Sequence, residues 1–285
     1  METSTDQTPV SDSGFGSLTT TDKVRLLVFS LAMLALAALN VALTPPEIIG
    51  AGILGWFESY GVHQFHDMVI SALLMFGVVI PALLLLYHPR DRVNTILAPV
   101  LGMIIVAILG LNVDSPIATG FLISSVLGLV GLALHPAGRS LLRFDRAESV
   151  DTRVAALYIV GAVPLLAYSG FELLRQLGPV DAEGHVLFIH YGAIAITSFL
   201  VVLLGGLAVF RERDWRFATW VAGLLAGFMG IASIGFPNES SSLGLLGGAA
   251  LFVWALAFVA SVEYNRRDTE RREEQTDRQS AAGSA

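Results

Sequence analysis

The chain has 285 residues, 54% of them hydrophobic and 14% charged, with a mean hydropathy of +0.68; soluble domains carry about 25% charged residues, so the composition excludes an ordinary soluble domain. Cysteine is absent, which excludes disulfides, thiolate metal sites and cysteine nucleophiles. The net charge of −7 leaves no basic patch for nucleic acid, and a single lysine, Lys23, against sixteen arginines resembles the composition of an extreme halophile or of a GC-rich genome.

Residues 1–22 are Ser/Thr-rich with too little apolar surface to offset ordering entropy and read as a disordered tail. Eight apolar runs follow, each close to the roughly 20 residues that cross a bilayer core: Val24–Leu43, Asp67–Tyr87, Val93–Leu111, Ile117–His135, Val154–Leu174, Val186–Phe210, Phe217–Phe236 and Leu243–Tyr264. The first is too long for the core of a signal peptide. Between the first two runs, residues 44–60 open with a capping box, Thr44 and Glu47, and close on Trp56, Phe57 and Tyr60, the pattern of an interfacial helix. Pro81, Pro99 and Pro164 fall inside runs and predict kinks. Glycines four or so apart, such as Gly223, Gly227 and Gly230, predict close helix crossings. Residues 265–285 are charge-rich and read as a second tail that prolongs the last helix by a turn or two.

Arginine placement sets the orientation, because basic loops stay cytoplasmic. Lys23, Arg25, Arg90, Arg92, Arg139, Arg143, Arg146, Arg153, Arg211, Arg213, Arg216 and the arginines from Arg266 onward lie at the N-terminus or in alternate loops, and Arg175 alone falls on the other side. Both termini are therefore expected in the cytoplasm of a plasma-membrane protein. Loop order repeats: a shift of 124 residues sets His190 on His66, Arg216 on Arg92 and Thr219 on Thr95. The expected fold is all-α, an eight-span polytopic protein built as two tandem four-helix units, residues 23–136 and 153–264, joined by a linker at 137–152. An even number of spans per unit gives both halves one orientation.

The polar residues at the outer ends of the spans supply the site candidates. His63 and His66 share a helix face at i and i+3 and, with Asp67 and His190, make a candidate transition-metal site, neutral imidazole being the usual ligand. His66 and His190, pseudo-symmetric in the repeat, are the candidate pair for a cofactor. Glu172 pairs with Arg175 along one helix face or, in the sharper reading, marks a proton or ion path. Asn40, Ser124, Ser125, Thr197 and Ser198 read as interhelical or back-bonded hydroxyls and amides.

Two four-helix halves with histidines near the outer side resemble duplicated haem-handling membrane proteins such as haem A synthase. The resemblance implies haem held by His66 and His190. It departs from that family where further histidines stand in the last span of each half: here His135 lies at the opposite membrane side and the eighth run has none. No motif names a reaction. The sequence reads first as a non-catalytic membrane component with a histidine site near the extracytoplasmic face, then as a haem- or metal-binding redox subunit, then as a small-solute or ion transporter. Its expected partners are the bilayer and membrane proteins, a second copy included.

Overall fold

The computed structural model describes residues 19–43, 63–87, 94–135, 147, 150–210 and 214–283. The expected N-terminal tail up to residue 18, the interfacial helix at 44–60, the arginine-bearing loops at 88–93 and 211–213 and most of the linker lie outside these residues. Among the described residues the protein is all-helical, without strands. Its helices are α1 Thr20–Leu43, α2 Gln64–Tyr87, α3 Asn94–Asn112, α4 Ala118–Leu134, α5 Thr152–Gln176, α6 His190–Phe210, α7 Trp215–Gly235 and α8 Gly244–Gly283.

Six of these, α1, α2, α5, α6, α7 and the Gly244–Thr269 part of α8, are long and apolar enough to cross a membrane; α3 and α4 supply shorter apolar stretches. Their exposed faces are apolar, in keeping with helices that cross a membrane. Leu27, Leu31 and Leu34 of α1 and Val160 and Val163 of α5 are more than half exposed, so the outer faces of these helices are apolar. The innermost helix is α6, 72% buried over its span, while α5 and α8 are peripheral at 22% and 28%.

Backbone chemistry explains the irregularities. The seven residues Leu73–Val79 of α2 are π-helical. Pro81 has no N–H to give the carbonyl of Gly77 and its ring crowds that carbonyl, so the turn before it widens. The expected kink at Pro81 therefore takes the form of a π-helical stretch. Asp151 caps α5 by accepting from the N–H groups of Arg153 (2.7 Å) and Val154 (3.1 Å). The last helix continues to Gly283, further than the turn or two expected, and pairs such as Arg267 with Glu263 at i,i+4 support the extension.

Small residues set the α7–α8 crossing. A Cβ built on Gly230 would stand 2.8 Å from the Gly248 carbonyl oxygen, and one on Gly248 would stand 2.7 Å from that of Gly230, so the two backbones touch. Asn40 of α1 donates to Ser124 of α4 (3.1 Å) and to its own Leu36 carbonyl, while Ser125, Thr197 and Ser198 bond back to their helices, the roles the sequence suggests. In the first half α1 packs on α2 and α4 and α3 on α4; in the second α5 packs on α6 and α8, α6 on α7 and α7 on α8. Between halves, α2 packs on α6 and α7, and α3 on α6. The starts of α2, α6 and α8 and the finishes of α5 and α7 meet at one end of the bundle.

Candidate metal centre

His63 precedes the first turn of α2, His66 lies within it, His190 opens α6, and His185 stands in the connection between α5 and α6. One ligand nitrogen from each comes together within 4.8 Å of the others. Ring centroids are 4.7 to 6.3 Å apart. His66 and His185 are fully buried and His190 nearly so.

The connection from α5 to α6 folds to deliver two of the four. Gln176, buried at the end of α5, donates from Nε2 to the Val186 carbonyl (2.8 Å) and accepts at Oε1 from the Gly192 N–H (2.9 Å). One amide thus fastens the loop and the start of α6 to α5. Gly184 takes φ +79°, a conformation without steric penalty only for glycine, and the loop closes with the His190 N–H on the His185 carbonyl (2.8 Å). Ile189, immediately before His190, holds φ +60°, which is rare for a β-branched residue. Ser241 takes φ +64°. Left-handed backbone at both residues beside the imidazoles is the kind of local strain that surrounding packing must support.

Hydrogen bonding sets the tautomers. Ser241 Oγ donates to Glu172 Oε2 (2.8 Å), which uses its single proton, so it accepts from His66 Nε2 (3.2 Å) and from Arg175 Nη1 (3.1 Å). The His66 proton is therefore on Nε2 and the Nδ1 lone pair faces the cluster. His185 Nδ1 lies 2.9 Å from Asp181 Oδ2, an acceptor only, which puts the His185 proton there and leaves Nε2 as a lone pair. The nitrogens without a hydrogen-bond partner match: Nδ1 of His63, His66 and His190 and Nε2 of His185 are all buried. A second ring nitrogen held by a carboxylate or hydroxyl is the usual support of a metal-ligating histidine.

An outer layer surrounds these rings. Tyr191 stacks on His185 with centroids 5.1 Å apart, donates to Asp181 Oδ2 (3.0 Å), and lies under the Arg175 guanidinium at 3.8 Å. Arg175 also bonds Glu172 (3.1 Å) and Ser240 (2.6 Å), and the Tyr168 hydroxyl donates to the Ser241 carbonyl. Glu239 accepts from the Phe65 N–H (2.8 Å) and so caps α2 from the loop between α7 and α8.

Charges outside the spans follow from these contacts. Burial and the neighbouring His185 lower the pKa of His63, with Glu183 and Asp181 opposing. Burial pushes Asp181 up, but hydrogen bonds from Tyr191 and His185 outweigh it and hold the carboxyl below its ordinary value. Burial raises Glu239, partly offset by the Phe65 N–H. The N-termini of α2 and α6, each carrying about half a positive charge, also face the site.

Of the sequence candidates, His63, His66 and His190 meet; Asp67, on the same turn of α2, is outside the four-residue group. Glu172 pairs with Arg175 and also reaches His66 through Ser241. His185 joins them without having been a candidate, although its position five residues before His190 echoes the close spacing of His63 and His66. Compared with known protein families, curated proteins and solved structures, the chain matches none.

Proposed function

We propose that this is an integral membrane protein that binds one first-row transition-metal ion through His63, His66, His185 and His190. The observation that carries the reading is the convergence of four buried imidazole nitrogens that lack hydrogen-bond partners. Leaving a buried polar atom unpaired costs about 1–3 kcal/mol, so four together would consume much of an ordinary fold's net stability of roughly 5–15 kcal/mol. Facing lone pairs call for a cation between them. Four neutral imidazoles suit zinc, copper, nickel or iron, and at bonds of about 2.0–2.1 Å a tetrahedral ion brings its ligand nitrogens about 3.3 Å apart. Binding would draw the nitrogens, now within 4.8 Å of one another, together to that spacing.

A bare ion fits better than haem. Haem supplies four in-plane nitrogens of its own and leaves two axial positions, whereas here four rings crowd one point and two of them would occupy the macrocycle's place. Four protein ligands also close the coordination sphere, which suits a structural or electron-transfer centre better than a catalytic one. Asp181, bonded directly to His185, and Glu172, which reaches His66 through Ser241, would offset the ion's charge against the two helix N-termini.

The eight-span, two-unit arrangement belongs to the same proposal. At 19 and 17 residues α3 and α4 are about 28 and 25 Å long, short of the hydrocarbon core by an amount that bilayer thinning absorbs. Helix contacts within and between halves look alike when α1–α4 are exchanged with α5–α8, and each half contributes two ligands. The start of α1 and the polar end of α8 lie at the end opposite the histidines, which supports cytoplasmic termini in the plasma membrane by the arginine pattern.

Metal analysis of detergent-purified protein, followed by competitive titration with Zn²⁺ and Cu²⁺, tests the reading. One ion per chain is expected, lost in the His66→Ala/His190→Ala variant. A folded protein that takes up neither ion, or one purified with a Soret band, would overturn it.

A further inference from the structure

A groove of about 840 Å³ runs along the outward side of the α7–α8 pair, remote from the histidines. Its floor is made by Gly223, Gly227 and Ala255 and its walls include Leu224, Phe228 and Leu256, so the long dimension is apolar. The mouth is not. Trp220, Glu263, Arg267, Asp268 and Arg271 line it.

Depth assigns the mouth to a headgroup layer. The apolar part of α8, from Gly244 to Val262, is 19 residues or about 28 Å, close to one bilayer core. Glu263 and everything beyond it therefore emerge where lipid phosphates sit. Trp220, facing Glu263 from α7, has the side chain that favours this level.

Glu263 is already satisfied. It accepts from Trp220 Nε1 (2.8 Å) and Arg216 Nε (2.8 Å) on one oxygen and from Arg267 Nε (3.0 Å) on the other. The side chains of Arg216 and Arg267 nevertheless remain 61% and 55% exposed, and Arg271, one turn beyond Arg267, has no ion-pair partner among the described residues. Arg267 and Arg271 balance Glu263 and Asp268 within the lining, and Arg216, paired with Glu263 from α7 beside the mouth, adds one further positive charge. A fork of guanidinium donors at phosphate depth, above an apolar trough, matches a phospholipid that carries net negative charge. A second copy of the chain matches less well, because symmetric docking would set the same arginines against each other.

We infer that the α7–α8 groove binds an anionic phospholipid, its acyl chain along the glycine floor and its phosphate on Arg267 and Arg271. Arg216 adds to the field. The site is independent of the metal centre at the other end of the bundle.

Trp220 provides the readout. Full-length protein in neutral detergent is titrated with phosphatidylglycerol carrying brominated acyl chains, and quenching of tryptophan fluorescence is followed, with Trp220→Phe identifying the groove's share. Saturable quenching is expected, reversed by unlabelled phosphatidylglycerol but not by phosphatidylcholine of the same chains. At about fivefold per basic group, Arg267→Gln/Arg271→Gln weakens binding roughly 25-fold, and both side chains lie on the surface, so the variant folds. Equal quenching by the two lipids, no change in the double variant, or a dimer whose Trp220 is protected from both would overturn the proposal.

Discussion

His66 and His190, one from each half of the bundle, lie with their rings 21° from parallel and centroids 5.1 Å apart. Each stands in the first turn of its helix, so the two helix starts meet at the imidazoles. If these rings and their neighbours hold an ion, replacing His185 by alanine should cost as much as replacing His66, at least 100-fold in Zn²⁺ affinity, because each supplies one of four bonds. Asp67→Asn should change affinity less than threefold. Competition titration against a chromogenic chelator distinguishes the two; an equal effect of Asp67→Asn would move the ligand set off the histidine group.

Ser241 acts on His66 without touching the centre of the cluster. Ser241→Gly removes the hydroxyl that accepts from His66 and relieves the left-handed backbone at the same position. The expected result is an unchanged or raised thermal midpoint with metal affinity lowered about 10- to 100-fold, the usual cost of losing a ligand's outer partner. One ion per chain should still bind. Loss of stability together with unchanged affinity would show that Ser241 serves the loop and not the imidazole.

The sequence revealed the solvent more readily than the site. Hydropathy found the described apolar helices to within about four residues at each end, the far end of α8 excepted, because a helix that faces lipid must be apolar along its length. His66, His190 and His63 were legible because polar groups at the mouth of an apolar run are conspicuous. His185 was not, since it lies in a connection whose path depends on Gln176 bonding both Val186 and Gly192, a tertiary fact with no periodicity. Ser240 and Ser241 were hidden for the same reason: serines in an NESSS loop are ordinary, and only the fold brings them to Arg175 and Glu172. The extent of α8 beyond Tyr264 was underestimated because charged composition argues for disorder, while i,i+4 pairing argues for helix.

Proton competition gives a pH test with a definite sign. An imidazole of ordinary pKa 6.5 loses about tenfold in metal affinity per pH unit below that value. Burial, then the neighbouring His185, lowers the His63 pKa, so its share of the competition begins only at more acid pH. The part of the proton competition that His63 contributes is therefore expected to be absent from pH 7.5 to 6.5 and to appear only at lower pH. The same lowered pKa makes the apo fold lose stability as pH drops below 6.5, since the unfolded chain then binds the proton more readily. Zn²⁺ titrations of the parent and of His63→Ala at half-unit intervals check the first statement; a pH dependence between 7.5 and 6.5 that disappears in His63→Ala would contradict it.

Glu239 carries the opposite sign. Its pKa is raised, chiefly by burial, so its contribution favours the fold below the unfolded-state value and is lost as pH rises through the folded one. The side chain still caps α2 through the Phe65 N–H. Glu239→Gln keeps an acceptor oxygen and removes the buried charge, and at pH 7 should leave the protein as stable as the parent or slightly more so. Glu239→Ala removes the acceptor and should destabilise by about 1 kcal/mol. Thermal midpoints of the two variants at pH 5 and pH 7 separate capping from charge.

The glycines of α7 and α8 are not equivalent, and the crossing geometry ranks them. A Cβ on Gly248 would meet the Gly230 carbonyl oxygen and the Ser233 Cβ at 2.7 Å, with the Ile234 nitrogen at 3.0 Å. Backbone atoms cannot turn aside, so Gly248→Ala must push the helices apart, at a cost of about 1–3 kcal/mol. The displacement also disturbs the Ser233 hydroxyl that accepts from the Leu243 N–H (3.3 Å) and holds the loop carrying Ser241. Metal affinity should therefore fall together with stability in Gly248→Ala. At Gly227 the nearest atoms would be the Ala255 Cβ and the Phe252 ring at 3.9 Å, ordinary contacts, so Gly227→Ala should stay within about 0.5 kcal/mol of the parent and bind metal normally. Denaturation in mixed micelles with and without Zn²⁺ measures both effects. If the two variants behave alike, α7 and α8 do not touch through their backbones at Gly230 and Gly248.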